Sequence, residues 1–348
     1  MSPERFEKIT GRYAGLRIAV AGDFCLDRYL EIDPRKEEIS IETGLPVYNV
    51  VRVRSQPGAA GTILNNLAAL GVGTLYPIGF AGEDGEGYEL SRCLKQMPGV
   101  DLKHFQQTAE RRTFTYCKPL VIESGKSPRE LNRLDSKNWS ATPETLSRKI
   151  KESLQAAAGE ADAIIVMDQV DVAETGVITK TVLKAIEELC AGDLLIVADS
   201  RRGLKNFPPI TYKMNAGELA KLAGRSGSLS LEEVKREAAA LARKMKQGVF
   251  VTMAEAGIVG SDGSGAVEHV AAFPVRGEID VVGAGDAVMA NLTCALAAGA
   301  QTAEALQLAN GAASVVIHQL GTTGTANIVQ LRDVLHPTNA HATAKRGT

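Results

Sequence analysis

The chain has 348 residues, of which 45% are hydrophobic and 23% are charged, an ordinary balance for a globular protein. Its formal net charge of −2 gives no reason to expect a nucleic acid or a membrane surface as a partner. The five cysteines lack C-x-x-C spacing, so we expect reduced thiols. The five histidines lack paired spacing, so we expect no zinc site. The N-terminus lacks an apolar signal region, and we expect a cytoplasmic location.

The first predicted strand is the apolar run 16–22, which is of the kind buried in a parallel sheet. Asp23 follows it directly and Asp27 lies four residues further on. Ligands of open α/β sheets bind beyond the carboxyl ends of the strands, and an ionised carboxylate accepts hydrogen bonds from hydroxyl groups. We therefore predict that Asp23 and Asp27 bind a hydroxyl-bearing substrate. The alternative is one turn aspartate and one surface aspartate.

Two polar stretches, about 28–54 and about 111–135, contain short runs in which apolar and polar residues alternate. Such alternation predicts half-exposed strands rather than core strands. Between the two stretches, a Pro-Gly turn at residues 57–58 opens a predicted helix that ends at Gly71. The leucines of this helix have the spacing of a face that packs on a sheet.

Short apolar runs alternate with helical segments in the second half of the chain. The runs 163–167 and 194–198 are predicted buried strands, and a predicted helix at about 174–190 separates them. Strands connected in this way form a parallel sheet with right-handed crossovers. The pattern predicts an α/β fold, with a doubly wound, mostly parallel sheet flanked by helices. Asp168, at the carboxyl end of the first of these strands, joins the predicted substrate-binding residues.

Asn215 and Glu218 are three residues apart at the start of a predicted helix. This spacing allows both side chains to face one water-ligated cation, which suits magnesium because that ion keeps most of its waters. It is also the spacing of a capping box, in which the two side chains satisfy the first backbone N–H groups of a helix. From the spacing alone, the capping box is the better interpretation.

The segment 280–286, Asp-Val-Val-Gly-Ala-Gly-Asp, leads into an apolar run long enough to be a buried helix. Backbone N–H groups at a helix N-terminus lack partners and favour an anion, and Gly283 and Gly285 carry no side chain that would keep a ligand away. Asp286 places a carboxylate in the first turn, where it can act as a general base in phosphoryl transfer to an alcohol. The alternative is a turn followed by a helix with an ordinary N-terminal carboxylate.

The same segment resembles the D-[TV]-x-G-A-G-D signature of the ribokinase-like (phosphofructokinase B) sugar kinases. The resemblance implies that the backbone of Gly283, Ala284 and Gly285 forms the anion hole and that Asp286 is the catalytic base. It also implies a single ribokinase-like kinase domain across residues 1–348. In such a domain the stretches 28–54 and 111–135 form a small β lid, through which two copies are often joined in a homodimer.

The segment 56–71 is similar to the first signature of the family, P-G-G-A-A-N-x-x-x-N-x-A-x-L-G. Ala59 stands where a second glycine is usual, and Thr62 stands where the sugar-binding asparagine is usual. Both departures bear on the identity of the sugar more than on the phosphate chemistry. The sugar-pocket residues that the resemblance implies here are Gly58, Ala59, Thr62 and Asn66.

The run 22–29 resembles the G-D-x-x-L-D-R-Y of the D-glycero-β-D-manno-heptose-7-phosphate kinase branch. In that branch the second aspartate, here Asp27, contacts sugar hydroxyls. Lys118 and Arg133, in the second predicted lid segment, are candidates to meet an anionic substrate, although each is also explained as a solvated surface charge.

The resemblance implies ATP and Mg²⁺ as cofactors and leaves a monovalent cation as a further candidate. Asn215 and Glu218 match the N-x-x-E motif of the family, which binds magnesium through water and the phosphates. Thr252 and Gly257 lie in a segment similar to the T-x-G-x-x-G near the nucleotide. Asn310 lies on a helix that borders the adenine in the family.

Together these motifs predict an ATP-dependent carbohydrate kinase that phosphorylates a hydroxyl of a sugar or sugar phosphate, with heptose 7-phosphate and its 1,7-bisphosphate as one substrate and product. One alternative is a fructokinase, ribokinase or nucleoside-type kinase of the same fold. Another is a sugar- or nucleotide-binding protein without catalysis. We expect a small-molecule sugar partner, no nucleic acid, no membrane and a homodimer. The tail 337–348 lacks periodicity and is predicted to be disordered.

Overall fold

The computed structural model describes residues 1–337. The predicted disordered tail therefore lies outside the described residues, apart from Pro337. The helices are α1 (Pro3–Thr10), α2 (Ala60–Ala69), α3 (Gly85–Lys95), α4 (Glu144–Ala158), α5 (Lys180–Leu189), α6 (Ala216–Leu222), α7 (Leu231–Met245), α8 (Ala284–Ala297), α9 (Thr302–Val316) and α10 (Ile328–Leu335).

Strands occur throughout the chain between these helices. They are β1 (Arg17–Gly22), β2 (Phe24–Ile32), β3 (Glu38–Ile39), β4 (Pro46–Val47), β5 (Val50–Ala59), β6 (Thr74–Gly82), β7 (Phe105–Thr108), β8 (Phe114–Val121), β9 (Arg129–Glu130), β10 (Leu134–Ser136), β11 (Ala163–Asp168), β12 (Leu195–Ser200), β13 (Thr211–Asn215), β14 (Val249–Thr252), β15 (Ile258–Ser261) and β16 (Val267–Val270).

The main sheet has nine strands in the order β16-β15-β14-β13-β12-β11-β1-β6-β7. All pairs from β14 to β7 are parallel, and only β15 and β16 add antiparallel pairs at one end. The predicted doubly wound, mostly parallel sheet is therefore confirmed. Because parallel strands all point the same way, their carboxyl ends meet at one edge of the sheet.

Two hydrophobic cores cover the two faces of this sheet. Along β1, Ile18 and Val20 enter the core that contains α2, α8 and α9, whereas Ala19 and Ala21 enter the core that contains α4, α5 and α7. This alternation explains why the strand is apolar at almost every position. Although α8 is mostly buried, no helix of the described chain has the length and hydropathy needed to cross a membrane.

A second sheet, with the order β10-β8-β2-β5 and β9 beside β8, projects from the same edge. Both predicted lid segments contribute strands to it, and β3 and β4 form a separate hairpin within the first segment. The second sheet begins earlier than the predicted segment, because β2 and β5 pair from Phe24 and Ala59 onwards. Asp27 therefore lies within a strand of the second sheet rather than in a loop after β1.

Candidate active site

Predicted site residues from four parallel strands lie at the carboxyl edge of the main sheet. The strand register pairs Asp168 with Ser200 and Asn215 with Thr252, so the ends of neighbouring strands are level. Asp23 follows β1 at the same edge. Ligands of open α/β sheets bind at this edge, and the structure therefore gathers these predicted residues where a ligand would be expected.

The N-terminus of α8 meets this edge and offers unpaired backbone donors. Gly283 is the N-cap residue, with φ of 83°, a left-handed conformation that glycine adopts without strain. Within residues 1–337, the amide N–H groups of Gly285 and Asp286 have no hydrogen-bond acceptor. Two adjacent free donors at the positive end of a 14-residue helix form a site for an anion.

Asp286, in the first turn of α8, is half-buried beside these donors. Burial raises the pKa of its carboxyl group to about 7; Lys213 opposes this shift, and the charges of Asp199 and Asp27 reinforce it. A carboxylate whose pKa lies near neutrality is matched to accept a proton from a hydroxyl group at physiological pH. The geometry and the titration of Asp286 both suit the predicted general base.

Lys213 and Asp199 form a buried ion pair that the sequence analysis did not assign to the site. The Lys213 Nζ donates to the Asp199 Oδ2 at 2.6 Å, and their side chains are only 8% and 14% exposed. One signal could have revealed the pair. A lysine in the middle of a buried strand needs a counter-charge, and Asp199 is the last but one residue of the neighbouring strand.

Asp27 lies on β2 with its carboxylate against β5. A Cβ atom on Gly58 would approach the Asp27 Oδ2 to 2.9 Å and the Cys25 Sγ to 2.7 Å, so glycine is needed there for Asp27 to keep its place. Burial raises the pKa of Asp27, while Lys118, whose Nζ lies 3.7 Å from the Asp27 Oδ2, lowers it. The charge of Asp27 also acts on Asp286 at the start of α8.

Asp23 has a different environment from the predicted hydroxyl contact. Its two carboxylate oxygens accept hydrogen bonds from the backbone N–H groups of Gln169, Val170 and Val177, at 2.7, 3.2 and 2.7 Å. Burial and the charge of Asp168 raise the pKa of Asp23 to about 7. These hydrogen bonds fix residues 169–177 to the end of β1.

Asp168 is fully buried at the end of β11. Its Oδ2 accepts hydrogen bonds from the Ser200 Oγ and from Arg202, both at 2.7 Å. Its Oδ1 has no partner within residues 1–337. A substrate hydroxyl could therefore be bound only through Oδ1, after an opening of the surrounding side chains.

The start of α2 contains the two departures from the sugar-kinase signature. Ala59, the N-cap residue, has φ of 54° and ψ of −118°, a conformation that is strained for any residue with a Cβ atom. Thr62 is buried in the first turn. The Asn66 Nδ2 donates to the backbone carbonyl oxygen of Thr62 at 3.0 Å and to that of Gly324 at 3.5 Å. Asn66 thus joins α2 to the loop before α10.

Asn215 and Glu218 form the capping box at the start of α6. The Glu218 N–H donates to the Asn215 Oδ1 at 2.9 Å, and the Asn215 N–H donates to the Glu218 Oε2 at 2.8 Å. Glu218 keeps one carboxylate oxygen for other partners. Within the described chain, no group of three His, Cys, Asp or Glu side chains is arranged to ligate a metal directly.

The remaining predicted nucleotide residues each have a structural contact of their own. The Thr252 Oγ1 donates to the Met214 oxygen at 3.4 Å, and the Asn310 Nδ2 donates to the Ala271 oxygen at 2.6 Å. Gly257 has φ of 90°, and a Cβ atom there would lie 2.0 Å from a backbone oxygen of β16. Gly257 and Asn310 therefore both contact residues 270–272, and Thr252 pairs with Ile258, the residue after Gly257.

Comparison with known proteins links this chain to one family. The family model described as pfkB family carbohydrate kinase matches residues 23–328. Bifunctional protein HldE of Gluconacetobacter diazotrophicus is 29% identical over 337 residues, which cover 95% of this chain and 66% of that protein. HldE of Azorhizobium caulinodans is 31% identical over 326 residues, which cover 93% and 65%. The chain thus spans just under two thirds of the length of these relatives.

Solved structures share the fold at lower sequence identity. Ribokinase of Arabidopsis thaliana, complexed with ribose and ATP, has a TM-score of 0.65 at 18% identity and covers 93% of this chain and 99% of its own. Phosphofructokinase-2 of Escherichia coli, in complex with substrates and products, has a TM-score of 0.68 at 19% identity, with coverage of 92% and 98%. The fold is therefore ribokinase-like.

The structural role of Asp23 can be tested by Asp23→Asn. The amide NH₂ of asparagine would face a backbone N–H, so a buried donor loses its acceptor, and we expect the free energy of unfolding to fall by about 1–3 kcal/mol. Urea denaturation measures this value, and Asp193→Asn, at an exposed position, is the matched control. Unchanged stability with a raised KM for the acceptor would instead support direct substrate contact.

Proposed function

Because the chain belongs to the pfkB family of carbohydrate kinases, we propose that it transfers the γ-phosphate of ATP to a hydroxyl group of a sugar phosphate, with heptose 7-phosphate as the acceptor and the 1,7-bisphosphate as product. The observation that carries the transfer is the α8 N-terminus, where two free amides adjoin a half-buried carboxyl group with a pKa of about 7. The heptose choice is supported by the G-D-x-x-L-D-R-Y pattern at residues 22–29.

The chain has residues that fit magnesium-ATP. The free amides of Gly285 and Asp286 suit a terminal phosphate, and the space above Gly285 is open, since a Cβ there would meet only the Lys213 Nζ, at 3.2 Å. Asn215 and Glu218 would act on the metal through water. When bound, magnesium-ATP supplies the phosphoryl group and neutralises part of the charge that develops during transfer. The further nucleotide contacts proposed are Thr252, Gly257 and Asn310.

Each group of the site has a separate role in the proposed transfer. Asp286 takes the proton from the acceptor hydroxyl as that oxygen attacks. The amides of Gly285 and Asp286 donate hydrogen bonds to the charge that develops on the equatorial oxygens. Asp27 accepts a hydrogen bond from a neighbouring hydroxyl and so fixes which oxygen approaches Asp286. The second sheet covers the acceptor and keeps water away from the reacting group.

The inner face of the second sheet supports a phosphorylated acceptor. The strand register places Arg54 and Lys118 on either side of Tyr29. The Lys118 Nζ lies 4.8 Å from the centre of the Tyr29 ring, and its side chain is only 14% exposed. Burial lowers the pKa of Lys118, but Asp27 and Tyr29 raise it above its ordinary value, so the ammonium stays charged beside the sugar site. Arg133, against the Tyr116 ring, adds a third cation.

The outer face of the second sheet supports a homodimer of this chain. Val51 and Val53 of β5 are 50% and 44% exposed, and Ile39, Ile41 and Leu45 of the adjoining hairpin region are exposed as well. Apolar side chains gathered on one strand and its neighbouring hairpin form a surface that is usually covered by a partner. A second copy of the chain offers the same surface for a two-fold contact.

Asp286→Asn tests the catalytic base. The change keeps the shape and removes the proton acceptor, so kcat should fall by roughly 10²- to 10⁴-fold while nucleotide binding is retained.

In the unmodified enzyme, kcat/KM should fall as the pH drops below about 7, because protonation of Asp286 removes the base. ADP release measures both. The control is Asp333→Asn, the same change at an exposed aspartate on α10, and near-normal turnover of Asp286→Asn would refute the role.

Lys118→Met tests the phosphate of the acceptor. If the ammonium binds that phosphate, the KM for heptose 7-phosphate should rise about tenfold or more, while the KM for an unphosphorylated sugar should change little. Steady-state kinetics with matched pairs of free and phosphorylated sugars give the ratio. Lys126→Met removes an exposed lysine from the same region and is the control. Equal losses for both acceptor types would contradict a phosphate at this position.

Val53→Glu tests the homodimer. A carboxylate introduced into an apolar contact would have to be buried without a partner, so the dimer should dissociate to monomer at micromolar concentration. Sedimentation velocity measures the oligomeric state. Val329→Glu, at an exposed valine on α10, should leave that state unchanged. A monomeric unmodified protein would exclude this contact.

A further inference from the structure

Lys213 is a charged residue in the middle of a buried strand. Its neighbours on β13, Tyr212 and Met214, point into the core that contains α4, α5 and α7. Alternation along the strand therefore directs Lys213 to the opposite face, where α8 lies. Its ammonium group thus ends beneath the N-terminus of α8 rather than in solvent.

The position of the ammonium is fixed by two close approaches. The Lys213 Nζ donates to the Asp199 Oδ2 at 2.6 Å. It also lies 3.2 Å from where a Cβ atom of Gly285 would be. An ammonium has three N–H donors, and within residues 1–337 only Asp199 accepts from this one. Glycine at position 285 therefore leaves room for a buried cation as well as for a ligand above it.

Stability alone does not account for this pair. Removing two charges from water costs free energy that a buried ion pair seldom recovers, and well-packed apolar residues of similar volume are often as stable. Apolar residues would therefore serve the core at these two positions at least as well. The pair lies against the first turn of α8, which contains Asp286, and the charges of Lys213 and Asp199 both act on that residue.

Charged groups from several elements face the α8 N-terminus. Lys213 of β13 favours ionised Asp286, whereas Asp199 of β12 and Asp27 of β2 disfavour it. Glu218 of α6 faces Lys213 from another side. The Lys213 ammonium pairs with Asp199 at 2.6 Å, and Asp286 and Glu218 add further negative charge around it, so a cation is held at this site.

We propose that Lys213 is a positioning residue for phosphoryl transfer, whose fixed positive charge beneath Gly285 holds Asp286 in its ionised form, and that Asp199 limits this effect by offsetting part of the charge. This inference rests on the proposed role of Asp286 as the base. It predicts opposite effects for the two members of one ion pair. Loss of Lys213 should make Asp286 harder to ionise, and loss of Asp199 should make it easier.

The pH dependence of kcat/KM in Lys213→Met and Asp199→Asn tests the proposal. The acidic limb is the pH range in which kcat/KM falls as Asp286 is protonated. In Lys213→Met this limb should shift to higher pH by about one unit or more, which lowers kcat/KM about tenfold on the acid side, with recovery at higher pH. Asp199→Asn should move the limb to lower pH. A role in packing alone would lower kcat/KM by the same factor at every pH, and that result would overturn the proposal.

A second measurement follows Asp286 without catalysis. In protein labelled with [¹³Cγ]aspartate, the Asp286 resonance is assigned by its loss in Asp286→Asn, and its titration should shift in opposite directions in the two variants. If neither the resonance nor the kinetic limb moves, the inference fails and the kinase proposal stands. If the resonance shifts but the limb does not, Asp286 is not the base, and the inference fails with that assignment.

Either single variant leaves one buried charge unpaired and can lower stability. The double variant Lys213→Met with Asp199→Leu removes both charges and should restore the melting temperature of the unmodified protein. Its acidic limb should lie between those of the single variants, since the opposing charges are lost together. If the double variant is stable and its acidic limb is shifted as far as that of Lys213→Met alone, the opposing role of Asp199 is excluded.

Discussion

The free amides at the start of α8 are the constraint on which the site depends, and burial of the rest of that helix fixes them. Residues 287–295 are all buried, against the sheet on one side and α2 and α9 on the others. A helix that is packed on every side cannot rotate or shift without exposing apolar surface or opening a cavity. The Gly283–Asp286 turn is therefore held at the carboxyl edge of the sheet by packing, and its donors remain directed at the cleft.

The two larger sheets are joined by contacts on both sides of this turn. Strand β5 passes directly into α2 through the strained Ala59, and α2 packs against α8. On the other side, the Gln56 Nε2 donates to the Thr323 Oγ1 at 2.5 Å, and Thr323 adjoins Gly283. The strain at Ala59 is tolerated because the contacts on both sides determine its backbone. The strands of the second sheet and the turn at Gly283 thus share one framework.

The fold and the α8 site were predictable because their signals are local. A parallel strand is apolar at nearly every position, and the glycines, the carboxylate and the apolar helix are consecutive in residues 283–297. The environment of Asp23 was not predictable, since its backbone partners lie 146 to 154 residues away. The Lys213–Asp199 pair also required the strand order, because only the adjacency of β12 and β13 brings the two together.

Charge balance indicates what kind of anion the site can accept. Asp199, Asp286 and Glu218 act on the Lys213 ammonium, and Asp27, which pairs with Lys118, acts on Asp286. Burial raises the pKa of Asp27, Asp286 and Glu218. A phosphate entering alone would add charge to this group of carboxylates at a cost that two amide donors only partly offset. An anion that arrives with its own divalent cation avoids that cost, because the carboxylates then gain a counter-charge. The acidic surroundings of the α8 turn therefore favour an anion that binds together with a divalent cation.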